Sequence, residues 1–138
     1  MMRKVTLVIV MSLAVTFAVA PLALAARSPL PSISSVSLTK VTLPPDWTAS
    51  RCGASVSATF ANVGGGALWV RFGIHDAVYG TTFTQSQRLT SGQTWASFTL
   101  GSGSPGGDTF DRAEATLYSG GRMIDTGSVV AIVSCPGA

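Results

Sequence analysis

The sequence predicts an all-β fold: an antiparallel sandwich of about seven strands, closed by one long-range disulfide and preceded by a cleaved signal peptide. Three observations predict it. The first 25 residues have the pattern of an export signal, the rest alternates apolar and polar residues in short runs between glycine-rich breaks, and its only two cysteines lie far apart. After the export signal, no window keeps the 3.6-residue period of a helix over ten or more residues.

The N-terminal segment has the three parts of a signal peptide. Arg3 and Lys4 give it a positive start, residues 5–19 carry no charge, and Ala23 and Ala25 form the small-x-small pattern that a signal peptidase reads. We expect cleavage after Ala25 or one residue later. A transmembrane anchor, which needs roughly 20 apolar residues, is the alternative for this segment. The proline and the alanines at its end favour cleavage.

Cleavage would remove much of the basic character of the chain. Arg3 and Lys4 are two of nine lysines and arginines in a chain with six acidic residues, so the mature chain of 113 residues is nearly neutral. The remaining basic residues are scattered singly: Arg27, Lys40, Arg51, Arg71, Arg88, Arg112 and Arg122. Nucleic-acid binding needs a cluster or stripe of such residues. We therefore expect no nucleic-acid partner, and membrane contact only through the signal peptide before cleavage.

The mature region divides into a short leader and one domain. Residues 26–35, with two prolines among serines, are predicted to form an extended leader, and residues 36–138 the β-sandwich domain. Alternation predicts seven strands: 36–43, 54–60, 68–74, 83–89, 94–100, 110–118 and 129–133. In the first strand the alternation changes phase at Thr39 and Lys40, which predicts a bulge there or a switch of the strand to the other sheet. The glycine pair before Arg122 predicts a tight hairpin turn at residues 119–121.

The two cysteines, Cys52 and Cys135, predict a structural disulfide. An exported chain meets oxidising conditions, in which an even pair of cysteines is normally bonded. A redox-active pair would show the C-x-x-C spacing, which is absent. Cys52 stands at the start of the second predicted strand and Cys135 just past the last one, so the bond would tie the two ends of the domain together.

Two stretches of the domain resemble a known family. Residues 56–64, VSATFANVG, look like the strand and N-x-G turn of bacterial immunoglobulin-like extracellular domains of the cell-adhesion-related (CARDB) type, and residues 89–98 are similar to a later stretch of those domains. The resemblance rests on Asn62, Gly64 and Gly92 together with the apolar alternation. It implies an immunoglobulin-like sandwich and a non-catalytic surface or adhesion module. Antibody-type domains differ, because no tyrosine corner precedes the last cysteine here.

The mature chain has few residues that support catalysis. His75 is its only histidine, and the adjacent Asp76 points to the opposite face of a strand, so Asp76 does not orient the His75 ring. Asp111 and Glu114 diverge in a regular strand, which argues against the paired carboxylates of a glycosidase. Asp108 and Asp111, beside a glycine-rich loop, are candidate calcium ligands, but solvated loop charges are commoner. We expect no catalytic residues, no metal site and no cofactor.

The candidate binding face consists of Trp69, Arg71 and His75. These residues alternate on the side of the third predicted strand opposite its apolar residues, so they face solvent or a partner if the apolar residues face the core. Exposed Trp and Arg side chains are enriched at interaction hot spots. The commoner alternative is that Trp69 is buried against the disulfide, as in immunoglobulin-like domains.

Together these features predict a secreted or cell-surface module with an interaction or structural role, placed in the periplasm if the organism has an outer membrane. Its expected partner is a protein or a carbohydrate at the cell surface, including a second copy of itself. Two alternatives stay open. One is a self-assembling filament subunit that adds residues 26–43 as a strand to a neighbour. The other is a small secreted inhibitor or ligand-binding protein.

Overall fold

The computed structural model describes residues 29–137, and the predicted signal peptide, residues 1–25, lies outside the described residues. Seven strands follow one another: β1 (Ser32–Thr42), β2 (Cys52–Ala61), β3 (Leu68–Asp76), β4 (Thr81–Leu89), β5 (Trp95–Gly101), β6 (Asp108–Ser119) and β7 (Arg122–Cys135). They form two antiparallel sheets, one in the order β1-β2-β5 and one in the order β4-β3-β6-β7. The predicted all-β fold of seven antiparallel strands in two layers is confirmed.

The core lies between the sheets, where the apolar members of each alternating strand meet. β2 turns Val56 and Phe60 inward, and β3 in the other sheet turns Val70, Phe72 and Ile74 toward them, all of them buried. Because side chains alternate along a strand, the polar members of the same strands lie on the two outer faces. Residues 29–137 contain no helix long and apolar enough to cross a membrane.

The outer face of the three-stranded sheet is covered by hydroxyl side chains. Hydrogen bonds join Ser35 to Thr59 at 2.6 Å and Ser37 to Ser57 at 2.7 Å, in each case across a strand pair. Trp95, on β5, lies on the same face because it is paired with Thr59, and its side chain is 55% exposed. This face therefore has hydroxyls that satisfy one another and one exposed aromatic ring.

β1 closes one side of the sandwich by packing against β7, the edge strand of the other sheet. Gly127 makes room for this contact: a Cβ atom at Gly127 would lie 2.9 Å from Val36 Cγ2 and 3.2 Å from Ile33 Cγ2. The backbone N–H of Ile33 also donates a hydrogen bond to Asp125 Oδ2 at 2.8 Å. The two sheets are thus joined along this side.

The opposite side of the sandwich, between the edge strands β4 and β5, is open. The inward-pointing side chains of β4 are those paired with the inward-pointing residues of β3: Thr81, Phe83, Gln85, Gln87 and Leu89. Only Leu89 among them is buried. β4 therefore presents a mostly polar inner face, as the sequence of this strand suggests, and a cavity separates it from β5.

β1 differs from the sequence prediction in where it begins and in where its register shifts. It begins at Ser32, so three of the last four residues of the predicted leader, Ser32, Ile33 and Ser35, already pair with β2. The predictions of a bulge or a switch of sheet at Thr39 and Lys40 are both wrong, because β1 stays paired with β2 in continuous register there. The register shift lies between Ile33 and Ser35 instead.

The change of phase in β1 has its cause in the packing of Leu43. Leu43 is buried just past the end of β1, and a Cβ atom at either Gly53 or Gly101 would lie 3.0 Å from Leu43 Cδ1. Both glycines face outward, since their neighbours Ala54 and Leu100 face the core. Leu43 therefore folds over the outer face of the sheet, and two missing side chains accommodate it.

The turn and the disulfide lie where the sequence places them. Gly120 and Gly121 both have positive φ angles, 58° and 79°, and connect β6 to β7. Cys52 and Cys135 form a disulfide with their Cα atoms 5.6 Å apart, which joins the first residue of β2 to the last residue of β7 and so links the two sheets. A buried disulfide indicates a non-reducing, extracellular-type environment.

We expect the double variant Cys52→Ala/Cys135→Ala to lower the free energy of unfolding by about 4–5 kcal/mol, because the bond restricts the unfolded chain over a sequence separation of 83. Urea unfolding followed by circular dichroism measures the loss. The reduced wild-type protein is the matched control and should lose the same amount. A loss below about 1 kcal/mol would contradict this account of the bond.

The substitution Gly127→Ala tests the packing of β1 on β7. The added methyl group would press on Val36 and Ile33, so the free energy of unfolding should fall by about 1–3 kcal/mol. The control is Gly64→Ala, where a Cβ atom meets nothing within 4 Å and the change should stay within about 0.5 kcal/mol. Equal urea midpoints for the two variants would show that β1 does not pack closely on β7.

Candidate functional site

The predicted binding face, Trp69, Arg71 and His75, lies on the outer face of the four-stranded sheet. Directly opposite residues of paired antiparallel strands share a face, so this face is built from cross-strand rows. One row, which we call the aromatic row, contains one residue from each strand: Arg88, Trp69, Tyr118 and Met123. The row sets a cation, two aromatic rings and a thioether side by side.

Arg71 reaches the aromatic row from the neighbouring row. Its guanidinium carbon lies 5.2 Å from the centroid of the Tyr118 ring, within the range of a cation–π interaction. Arg71 is held on β3 two residues from Trp69, on the same face. Two guanidinium groups therefore lie beside the rings: that of Arg88 within the aromatic row and that of Arg71 next to it.

Trp69 is exposed to solvent over 43% of its surface. The alternative in which Trp69 packs against the disulfide is wrong. Trp69 lies near the start of β3, opposite Tyr118, whereas Cys135 is paired with Asp108 at the other end of β6. The length of the sheet separates the ring from the disulfide.

His75 is held by a carboxylate that the sequence analysis did not assign to it. Its Nδ1 atom lies 2.7 Å from Asp111 Oδ1, and this hydrogen bond lowers the pKa of Asp111. A bulge in β6 makes the contact possible: His75 faces Arg112 and the next residue of β3 faces Phe110, so Asp111 is the extra residue. Asp111 thereby reaches the outer face.

The bulge also overturns the prediction that Asp111 and Glu114 diverge. That prediction assumes regular alternation, and the extra residue in β6 breaks it, so Asp111 is on the outer face with Glu114. No hydroxyl group among residues 29–137 is hydrogen-bonded to His75. The Asp111–His75 pair therefore lacks the nucleophile of a catalytic triad within the described part of the chain.

A shallow depression of about 220 Å³ lies on the outer face beside His75. It exists because Gly73, at the centre of the sheet, has no side chain, while Glu114 and Thr82 rise on either side of it. The exposed side chain of Val130 on β7 forms part of its rim. The depression lies on the same outer face as the aromatic row, farther along β3.

A larger cavity, which we call the side cleft, occupies the open side of the sandwich between β4 and β5. Its volume is about 620 Å³, within the range of small-molecule pockets. Its apolar walls are formed by Tyr79, Phe83, Leu100 and Phe110. Two carboxyl side chains, those of Asp76 and Asp108, also line it.

Two hydrogen bonds bridge the strands and loops at the ends of the open side. Near the β4–β5 turn, Gln87 Nε2 donates to the carbonyl oxygen of Ser97 at 2.6 Å. At the other end, the hydroxyl groups of Tyr79 and Ser104 are hydrogen-bonded. Between them the mouth faces solvent, and Phe83 on β4 is 40% exposed.

Asp76 and Asp108 form a hydrogen-bonded pair of buried carboxyls, with 1% and 7% of their surface exposed. Burial raises the pKa of Asp76, and the hydrogen bond and charge of Asp108 raise it further. Burial also acts to raise the pKa of Asp108, but the hydrogen bonds accepted from Asp76 and Ser102 outweigh it and lower that pKa. The two shifts favour the proton on Asp76 and the negative charge on Asp108.

This pair was not foreseen from the sequence, although a signal for it exists. Asp76 continues the inward alternation of Phe72 and Ile74, and Asp108 precedes Phe110 by two positions, so each carboxyl occupies a core-facing position. The pair also separates the two candidate calcium ligands, since Asp108 contacts Asp76 while Asp111 contacts His75. Among residues 29–137, no three His, Cys, Asp or Glu side chains are grouped to hold a metal ion.

Among the comparisons with known proteins, the one with solved structures found similar chains. No protein-family model matches the chain, and no curated protein matches it in sequence. Similar structures include a Bacteroides fragilis protein described as a β-galactosidase, with a TM-score of 0.46, 17% identity, 75% of this chain covered and 17% of that chain. A Parabacteroides merdae β-glucuronidase has a TM-score of 0.46, 12% identity, 75% of this chain covered and 13% of that chain.

This chain therefore spans less than a fifth of the length of those two enzymes. A Bordetella pertussis ApaA protein is similar over 79% of this chain and 98% of its own, at a TM-score of 0.34 and 14% identity. At these values, the similarities do not bear on the function of this protein.

The substitution Asp76→Asn tests whether the buried pair shares one proton. A carboxyl whose pKa is raised by folding contributes stability at low pH and loses it as the pH rises through that pKa. The amide cannot ionise and can still donate to Asp108, so Asp76→Asn should be at least as stable as the wild type at pH 8. Urea unfolding between pH 4 and 8 should show a smaller loss of stability than in the wild type.

Two further variants complete this test. Asp108→Ala leaves Ser102 and Asp76 without their acceptor and should lower the free energy of unfolding by about 1–3 kcal/mol. Asp46→Asn, which changes an exposed loop carboxylate, should leave it within about 0.5 kcal/mol of the wild type. Destabilisation of Asp76→Asn at pH 8 beyond that of Asp46→Asn would contradict the shared proton.

Proposed function

We propose that this chain is a secreted or cell-surface, non-catalytic module with an immunoglobulin-like sandwich, and that it binds another protein through the outer face of its four-stranded sheet. The observation that carries the proposal is the aromatic row, in which Arg88, Trp69, Tyr118 and Met123 lie side by side. Arg, Trp, Tyr and Met are the residue types enriched at protein interfaces and their hot spots.

Export is supported by two independent features. The first 25 residues carry the charge, hydrophobicity and small-residue pattern of a signal peptide. The Cys52–Cys135 bond belongs in an oxidising compartment. Neither feature depends on the other, because one is a sequence pattern and the other is a contact between strands.

The immunoglobulin-like type is supported by the strand order. In the lettering of those domains, β1-β2-β5 corresponds to A-B-E, and β7-β6-β3-β4 corresponds to G-F-C-C′. The fourth strand joins the sheet of the third, as in variable-type domains. The disulfide departs from the antibody pattern because it uses the last strand, β7, in place of the one before it.

The partner that best fits the aromatic row is a protein surface with carboxylates beside apolar side chains. Arg71 and Arg88 place two positive charges next to Trp69, and neither the aromatic row nor the row of Arg71 contains a carboxylate among the described residues. Farther along the same face, Val130 and Ile132 are 84% and 68% exposed. Exposed aliphatic side chains favour a protein partner over a sugar.

The absence of catalysis is supported by the geometry of the two polar clusters. His75 is oriented by Asp111, but no hydroxyl of the described residues is bonded to it. The carboxyls of Asp76 and Asp108 are hydrogen-bonded to each other, whereas glycosidases hold their two carboxyls about 5 Å or more apart. Each cluster therefore lacks a requirement of the reaction class that it resembles.

The alternative of a filament subunit is less well supported. It requires residues 26–43 to leave this molecule and pair with a neighbour. β1 pairs with β2 of the same chain from Ser32 to Thr42 and packs on β7. Strand addition would therefore have to break these contacts first, which favours the interaction module.

The test is binding by the mature protein and by two tryptophan variants on opposite faces. A protein partner is captured from the envelope and secreted fractions of the source organism, purified, and titrated against the wild type, Trp69→Ala and Trp95→Ala. Trp69→Ala should weaken binding about 30-fold, as expected for a hot spot worth about 2 kcal/mol. Trp95→Ala removes a comparably exposed ring from the other sheet and should change binding less than about threefold.

Arg71→Ala adds a second measurement to this test. It should weaken binding and reduce its dependence on salt, because one charge pair with the acidic partner is lost. Three results would overturn the proposal: equal effects of Trp69→Ala and Trp95→Ala, binding to a glycan array that Trp69→Ala abolishes, or catalytic turnover on a substrate panel.

A further inference from the structure

The geometry points to a second site: the side cleft binds a small organic cation, of the alkylammonium or quaternary ammonium class. This site lies between β4 and β5, whereas the proposed protein-binding face lies on the outside of the four-stranded sheet. The two are therefore independent, and a variant of one is a control for the other.

The size and the walls of the side cleft fit a small ligand. Its volume of about 620 Å³ lies within the range of roughly 300–1,000 Å³ that is usual for such sites. Its walls combine the rings of Tyr79, Phe83 and Phe110 with the aliphatic side chain of Leu100. The mouth opens on the side of the sandwich where no strand covers β4, so a ligand can enter without moving a strand.

The buried carboxyl pair supplies the charge that selects a cation. Asp76 and Asp108 line the cleft with 1% and 7% of their surface exposed. Among residues 29–137, the single salt bridge joins His75 to Asp111 on the outer face, so no Lys, Arg or His of these residues is paired with Asp76 or Asp108. Buried charges in proteins are normally paired because an unpaired one is costly. The backbone N–H of Val78 and the hydroxyl of Ser102 donate hydrogen bonds to the pair, and a bound cation would add the opposite charge that no side chain of the described residues supplies.

The aromatic rings favour an organic cation over a metal ion. Ammonium groups are attracted to the faces of aromatic rings, and cages of such rings bind quaternary ammonium ligands. Calcium needs six to eight oxygen ligands, whereas Asp76 and Asp108 already use oxygens on each other and on Ser102. Carboxylate charge beside three aromatic rings therefore matches a cation with an apolar surface.

The experiment uses the full mature chain and choline chloride as the probe, followed by calorimetry and by chemical shifts of the amide groups. The neutral isostere 3,3-dimethylbutan-1-ol has the same shape without the charge and should bind about tenfold more weakly. Shifts should be concentrated at the cleft, around Tyr79, Phe83 and Asp108. Trp69→Ala should leave choline binding unchanged.

Variants of the cleft test the roles of charge and rings separately. Asp108→Asn should weaken choline binding about tenfold or more, and Phe83→Ala should weaken it about fivefold. Phe83 is partly exposed on an edge strand, so its variant keeps the test decisive if Asp108→Asn does not fold. Trp95→Ala, which removes an aromatic ring outside the cleft, should have no effect.

Several outcomes would overturn the inference. One is no binding of choline or tetramethylammonium at about 10 mM, a weak limit for a specific site. Another is equal binding of choline and its neutral isostere, which would make the cleft an apolar pocket only. A third is binding of calcium chloride that displaces choline from Asp108, which would make the cleft a metal site.

Discussion

The contact between β1 and β7 joins the two sheets along one side of the sandwich, and the features of the other side depend on it. Val36 and Ile33 fill the space that Gly127 leaves open, and Asp125 binds the backbone of Ile33. The disulfide links the sheets at one end as well. Because these contacts hold the layers in place, β4 and β5 need not meet. The side cleft exists because closure is complete on one side only.

The same constraint explains why β4 has a polar inner face. In a sandwich closed on both sides, Phe83, Gln85 and Gln87 would pack against β5, and amide side chains there would be costly to bury. Here they border an opening, and Gln87 bridges to the Ser97 carbonyl. The polar composition of this strand is therefore matched to a cavity wall. The strand with a polar inner face is thus an edge strand, and that face is largely exposed.

Strict alternation along a strand made much of the fold and one face of the sheet predictable. Leu68, Val70, Phe72 and Ile74 are all buried, so Trp69 and the other members of the predicted face must point outward. The same rule failed at Asp111, because a bulge in β6 adds a residue and brings this side chain to His75. It failed again in β1, where Leu43 packs over two outward-facing glycines. Bulges and missing side chains depend on the neighbouring strands, which the local pattern does not describe.

The carboxyl pair was beyond sequence reasoning for a similar reason. Asp76 ends one strand and Asp108 begins another, and only the pairing of β3 with β6 brings them together. Their inward positions could be read from the alternation, but their contact and the open cleft beside them could not. The aromatic row needed the same information, since Arg88, Tyr118 and Met123 come from three strands besides that of Trp69. The sequence shows the residue types, but the order of the strands in the sheet is what brings these residues side by side.

The position of the disulfide also sets how the domain responds to mechanical force. A pull on residues 29 and 137 is carried from Cys135 directly to Cys52, so strands β2 to β7 are bypassed. Only the segment that contains β1 can be peeled away, and it extends by at most about 80 Å, compared with about 380 Å for the same chain without the bond. The covalent link thus divides the domain into a short extensible arm and a body that does not lengthen under load.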